Sequence, residues 1–222
     1  MTTPAEPYAT KSQFAYTRVR DLIMSGELLP GAVLNQAVLA REIGISTTPL
    51  REALRRLAQQ GLVELDAHRD ARVTQLHAEE ARDLLEVRLS LDPLAAALAA
   101  ERRTPPDLAE LRAGLEGLES LPADPSVAQL AAHRRFHSAV YRASHNALLV
   151  EVLDGLWDTT DRYRRHGLQQ GRDDEDRAAT AREHALIAQA VIDGDGATAA
   201  EVMRAHVRAS SGARSAQRLA GS

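Results

Sequence analysis

Residues 35–65 read NQAVLAREIGISTTPLREALRRLAQQGLVEL. The spacing predicts two short helices joined by a tight turn, with a strand after them. Val38, Leu39 and Ile43 give the first helix an apolar stripe. Asn35 suits its N-cap, because an Asn side-chain oxygen accepts an orphan backbone N–H of the first turn. Gly44 stands where a helix commonly ends in a left-handed residue. Ser46 is placed to cap the second helix, with Pro49 in the first turn, where a missing N–H costs little. Leu50, Ala53, Leu54 and Leu57 share one side at helical spacing, Arg51, Arg55 and Arg56 fall elsewhere, and Gly61 closes the element. Two readings fit. One is an ordinary helical hairpin in a bundle. The other is a helix-turn-helix, whose second helix enters the DNA major groove with its N-terminal residues near base edges.

The flanking sequence favours the second reading. Tyr16, Val19, Arg20 and Ile23 precede the loop SGELLPG, and Leu62–Leu65, a turn and Ala71–Val73 follow as strand, loop and strand, the outline of a wing. On the pieces SGELLPG, LAREIGIS, TPLREALRRL and QGLVEL, residues 16–73 resemble the winged helix-turn-helix of GntR-type bacterial transcription regulators. The resemblance implies a double-stranded DNA operator as partner. It places Ser46, Thr47, Thr48, Arg51 and Arg55 at the reading helix and Arg72 in the wing. Arg51 projects from the first turns and is expected at a base edge, the alternatives being a phosphate or a neighbour on its own helix. One position departs from the family, which often has Arg directly after the helix-starting Ser. Here Thr47 stands there, and a Thr cannot make the bidentate Arg–guanine pair.

Composition bounds the rest. The 222 residues suggest one or two domains, 44% are apolar and only seven are aromatic, so a core of Leu, Ala and Val in packed helices is expected. The absence of cysteine excludes disulfides and thiolate metal sites. No apolar run approaches the ~18 residues of a membrane span, and the N-terminus lacks an apolar signal core, so no membrane partner and a cytoplasmic location are expected. Net charge is −4; residues 1–75 hold nine basic against eight acidic side chains and residues 76–222 eighteen against twenty-three. DNA binding therefore rests on the placement of arginines, not on bulk charge.

The expected fold class is mainly α, a winged helix-turn-helix followed by an all-α bundle. Residues 1–12 read as a flexible arm, 13–75 as the DNA-binding domain, 76–212 as a helical domain and 213–222 as a loose tail. The first helix is expected over 13–25, with Phe14, Val19, Leu22 and Ile23 inward. Six helices are expected after Leu76. The first covers 78–102 and is kinked or broken by Pro93, with Leu84, Leu85, Leu91 and Leu94 inward. Others run through Leu108–Leu118, from the opening segment Ala123–Ser126 to about Ser144, from Asn146 to about His166, over 176–192, and, after a break at Asp193–Gly196, to about Ser210. Residues 167–175, LQQGRDDED, read as a polar loop.

Four histidines fall on the apolar rhythm of these helices. His133 and His137 are four apart on one face, and His184 and His206 lie on the last two helices. Each alone fits a hydrogen-bonded core histidine. Four together, facing inward, would be costly unless a divalent cation accepted their neutral nitrogens, and imidazole suits zinc, nickel, copper or iron.

On LLEVRLSLDPLAAALAA, RRFHSAVYRASHNALL, EHALIAQAVIDGDGATAA and the final MRAH, residues 78–210 resemble the ligand-binding domain of the FadR branch of the family, the FCD type. The resemblance implies a divalent metal, zinc or nickel foremost, on His137, His184 and His206. His133 falls where the family usually has Asp or Asn; it either ligates or stands off. Arg88 matches the Arg that faces the ligand cavity in related domains, which implies that it and the metal bind a small carboxylate. Its local alternative partner is Asp92, at i+4. Asn146 is a weaker effector contact, with a helix cap as its alternative. The expected function is a metabolite-responsive repressor acting as a homodimer. The alternatives are a metal-dependent hydrolase using the histidine site and a DNA-binding architectural protein with a structural metal.

Overall fold

A computed structural model describes residues 10–65, 70–116, 118–169 and 174–221. The chain forms two compact units, Met1–Gln75 and Leu76–Ser222.

In the first unit, α1 (Lys11–Met24) begins two residues earlier than the sequence suggests, capped by Thr10, whose hydroxyl accepts from Gln13 N. It buries Val19, Leu22 and Ile23 as expected, while Phe14 is only half-buried. The proposed arm falls largely on residues 1–9, outside the described ones. β1 (Val33–Asn35) leads into α2 (Gln36–Glu42), and Asn35 caps α2 by accepting from Val38 N at 3.0 Å. Gly44 and Gly61, at φ 75° and 71°, end α2 and α3 in the left-handed region where a Cβ is strained. Val38 departs from its expected role and is exposed, so Leu39 and Ala40 alone carry the inward face of this short helix.

α3 (Thr47–Gln59) buries Leu50, Ala53, Leu54 and Leu57 completely. Ser46 occupies its N-cap position, but its side chain makes no capping bond. The reason lies in Pro49, which stands at the third helical position and has no N–H to offer. β2 (Val63–Leu65) and β3 (Asp70–Val73) complete a three-stranded antiparallel sheet of order β1-β3-β2. Arg72 lies opposite both Val33 and Glu64 on its exposed face. The wing tip, 66–69, is outside the described residues.

The second unit holds eight helices among the described residues, not six. α4 (Ala78–Arg102) runs through Pro93 as one helix. Proline in a helix interior costs roughly 3 kcal/mol, and α4 meets that cost through packing, with α6, α9, α10 and α11 all against it. Its inward stripe is also not the expected one. Ala81, Arg88, Asp92, Ala95, Ala96, Ala99 and Ala100 are buried, whereas Leu84, Leu85 and Leu91 are half-buried and Leu94 is exposed. Small side chains bring helices close, since interaxial distance follows the residues at the contact.

α5 (Pro105–Glu116) starts on two prolines, and α6 (Val127–Ala143) starts on a capping box of Ser126 and Gln129. The single helix expected from Asn146 is two, α7 (Ala147–Gly155) and α8 (Trp157–Leu168), broken where Gly155, a poor helix former, meets Leu156. α8 continues into the expected polar loop, with Leu168 fully buried, and α9 (Asp174–Asp193) begins before that loop would end. α10 (Gly196–Ala209) is capped by Asp195. The tail is not loose: α11 (Ser211–Ala220) packs on α8 and α4, burying Ala213, Ser215 and Ala216. Ala213, Ala216 and Leu219, three apart, give it one inward side, and its small residues fit a narrow gap where Gly167 of α8 faces the Ser211 carbonyl.

Candidate functional site

The reading helix comes first. Burial of the leucine face of α3 leaves Ser46, Thr47, Thr48, Arg51 and Arg55 on the surface. Arg51 Nε donates to Gln36 Oε1 at 3.1 Å, which links α3 to the start of α2. Arg56 is turned the other way, donating to Gln13 Oε1 and lying 4.2 Å above the Tyr16 ring. Arg72 donates to the Gly31 carbonyl at 2.7 Å, so it also ties the wing to the loop before β1.

In the second unit, α6, α9 and α10 bring together the four histidines. His133, His137, His184 and His206 are all buried, and one nitrogen from each lies within 4.8 Å of the others. Ring centroids of His133 and His137 are 4.7 Å apart and those of His184 and His206 4.5 Å apart. Phe136 and Trp157 wall the group with their edges. Glu183 Oε2 lies 2.9 Å from His206 Nδ1, which directs the other nitrogen of that ring inward. Both nitrogens of His137 and Nδ1 of His133 are buried without a hydrogen-bond partner among the described residues. Burial pushes the pKa values of His133 and His137 well below the usual histidine range. For His133 Arg164 adds to this, then the other imidazoles; for His137 the neighbouring imidazoles come first, then Arg88 and Arg164. Neutral imidazoles with unpartnered nitrogens converging on one point are a donor set that could hold a metal ion.

Arg88 reaches the same region from α4. Its guanidinium donates to Asp92 Oδ2 through Nε at 3.1 Å and Nη2 at 2.5 Å, and to the Tyr141 hydroxyl at 3.1 Å. It lies 5.1 Å from the Trp157 ring. Burial opposes its charge, but Asp92 and Tyr141 raise its pKa above the usual arginine value. Arg164 on α8 is bonded to Asp161, which also accepts from Arg134. Two narrow cavities flank the histidines; Arg88 lines the first, His133 and His184 the second, and Arg164 and His206 both.

Residues 11–73 match the gntR family of bacterial regulatory proteins, and residues 83–209, more than half of the chain, match the FCD domain. This chain belongs to the GntR family, with an FCD domain. Among curated relatives, the HTH-type transcriptional regulator McbR of Escherichia coli K12 is 35% identical over 133 residues. That alignment spans 60% of this chain and 60% of McbR. LutR of Bacillus subtilis 168, also an HTH-type transcriptional regulator, is 32% identical over 84% of this chain and 93% of its own length. The solved structure of E. coli McbR/YncC superposes with a TM-score of 0.74 at 26% identity, covering 90% of this chain and 94% of that one. The matching domains and relatives are regulators, not enzymes, so the hydrolase reading is set aside.

Within this GntR-family chain, several residues of the site carry no motif of their own. Glu183 directly precedes His184, and Tyr141 is four after His137, so helical spacing could have placed both. Trp157, the single tryptophan, and Arg164, in the run RYRR, became visible only once α8 was seen to be buried. Asn146 takes its alternative role: its side chain accepts from Leu149 N at 3.2 Å and caps α7.

Proposed function

We propose that this protein is a metabolite-responsive transcription regulator, acting as a repressor, that binds a palindromic DNA operator as a homodimer. Residues 13–75 serve as the DNA-binding domain and 76–212 as the effector domain. Arg51, Arg55, Ser46, Thr47 and Thr48 face the major groove, and Arg72 acts on phosphate or minor groove from the wing. His137, His184 and His206, joined by His133, hold a divalent ion. Zinc or nickel suits this all-imidazole set and supplies a positive centre for a carboxylate oxygen. Arg88 forks onto a second oxygen of the same small carboxylate, sharing its guanidinium with Asp92 and Tyr141. The observation that carries the effector reading is the convergence of four buried imidazoles beside a buried guanidinium and two cavities.

Exposed Val87 and Leu94 on α4, and Leu148 and Val152 on α7, two helices that pack together, support a homodimer through this unit. Two-fold symmetry then matches a palindromic site. No described helix is long and apolar enough to cross a membrane, and a DNA target implies a cytoplasmic protein.

The test pairs selection of DNA from a random pool with metal analysis of protein purified without chelators. A palindromic consensus and about one divalent ion per subunit are expected, the ratio following from one four-ligand site. Selected DNA no tighter than the starting pool would overturn the regulator reading. Protein without stoichiometric metal would overturn the metal reading.

A further inference from the structure

The FCD match ends at residue 209, and α11 lies beyond it. Its first turn nevertheless forms part of the cavity beside Arg88, through Ser210, Gly212 and Ala213. Ser210 caps the helix, its hydroxyl accepting from Ala213 N at 3.2 Å. The N–H groups of Ser211 and Gly212, first in the helix, have no acceptor within it and carry the positive end of its dipole. Helix N-termini are common, and a second observation points to a ligand. Thr160 of α8 lies on the wall of the same cavity, is 4% exposed, and its hydroxyl has no hydrogen-bond partner among the described residues. Leaving a buried hydroxyl unpaired is costly, so a group that bonds to it is favoured. Arg164, 5% exposed, lines that cavity too, and its carboxylate partner Asp161 is shared with Arg134.

The geometry points to a second anion subsite built from Thr160, Arg164 and the first turn of α11, and so to an effector with two oxyanion heads. One head is the carboxylate at Arg88 and the metal; the other, a carboxylate or a phosphate-type group, is held here. This rests on the carboxylate reading given above and adds a second head to it. The second head takes a hydrogen bond from the Thr160 hydroxyl, charge from Arg164, and a backbone donor from Gly212. The site thus selects against monocarboxylates by leaving Thr160 unpaired when only one head is present.

Calorimetry on the full chain, as purified with its metal, tests this with propionate, succinate and 3-phosphonopropionate. At least one two-headed probe should bind about tenfold or more tighter than propionate, the scale of one hydrogen bond to a charged group. Which of the two binds tighter identifies the second head as carboxylate or phosphate-type. Thr160→Val should lower that affinity about tenfold while changing propionate binding less than about threefold. The same variant should leave the thermal stability of ligand-free protein unchanged or raised, because its hydroxyl has no partner to lose. Gly212→Asp places a carboxylate in the first turn of α11, where it favours the helix, and the nearest atom to its Cβ is Ser210 Oγ at 3.7 Å. It should abolish the preference for the two-headed probe. Equal binding of all three probes, unaffected by either variant, would overturn the second subsite and leave the carboxylate reading standing. Failure of every carboxylate to bind would overturn both.

Discussion

His133 and His137 sit one helical turn apart, deep in the second unit, and burial keeps both neutral at pH values where an ordinary histidine is charged. The unfolded chain therefore binds more protons than the folded one between their depressed values and the ~6.5 of a free histidine. Their contribution to stability is present above ~6.5 and is lost as pH falls below it. Unfolding in urea, with chelator present, should show stability dropping between pH 7 and pH 5, and less steeply in a His133→Gln/His137→Gln variant. Stability rising on acidification through that window would contradict the assignment. Metal binding has the same sign, since ligands must be deprotonated, so ion affinity should also fall with acid. Arg51 is the second residue with a sharp expectation. Its bond to Gln36 is exposed and easily exchanged for a base edge. Arg51→Ala should cost about 1–3 kcal/mol on the selected operator and relax preference at one base pair. Unchanged preference between operator and random DNA would place Arg51 outside base reading.

Helices α8 and α11 pack more closely than their composition suggests. A Cβ built on Gly167 would lie 1.9 Å from the Ser211 carbonyl oxygen, so the two backbones must separate to admit any side chain. Gly167→Ala should destabilise the protein by about 1–3 kcal/mol, the scale of overpacking, although alanine is the better helix former. Denaturant midpoints would show it; a midpoint that rises would mean the contact is loose. α4 makes the complementary case. Its alanines admit α10 closely enough that the space at Gly196 is bounded by the Ala97 carbonyl, 3.3 Å from an added Cβ. Pro93 survives in such a helix because neighbours pack against its length. Local rules placed the ends of α2, α3 and α6, where caps and glycines act over four residues. They failed for the interior of α4 and for α11, where tertiary neighbours decide.

At the scale of the molecule, the proposed regulator couples effector to DNA. If an effector changes operator affinity by some factor, bound operator must change effector affinity by the same factor. Anisotropy titrations of labelled operator at several effector concentrations, beside effector titrations with and without operator, should return one coupling factor of about 5- to 150-fold. Unequal factors would mean that the two events are not one linkage. The variant His137→Ala/His184→Ala/His206→Ala should lose the metal and this coupling, while residues 13–75 keep their fold and non-specific DNA binding.

The winged helix-turn-helix was legible because its signals are local: Asn35, Gly44, Pro49 and Gly61 each act within one turn, and the leucine spacing of α3 names its buried face without reference to anything distant. The histidine set was legible for a related reason, since apolar periodicity told which side of α6, α9 and α10 faces inward. What the sequence could not determine was the company those side chains keep. Tyr141 beside Arg88, Glu183 on His206, Arg134 sharing Asp161, and the unpaired Thr160 depend on how α4, α6, α8, α9 and α10 cross. That crossing is decided by small residues, whose close backbone contacts leave no periodic mark. α11 carries a helical spacing, Ala213, Ala216 and Leu219 against Arg214 and Arg218, but so short a helix is marginal by itself, and only the gap between α8 and α4 made it a wall of the cavity.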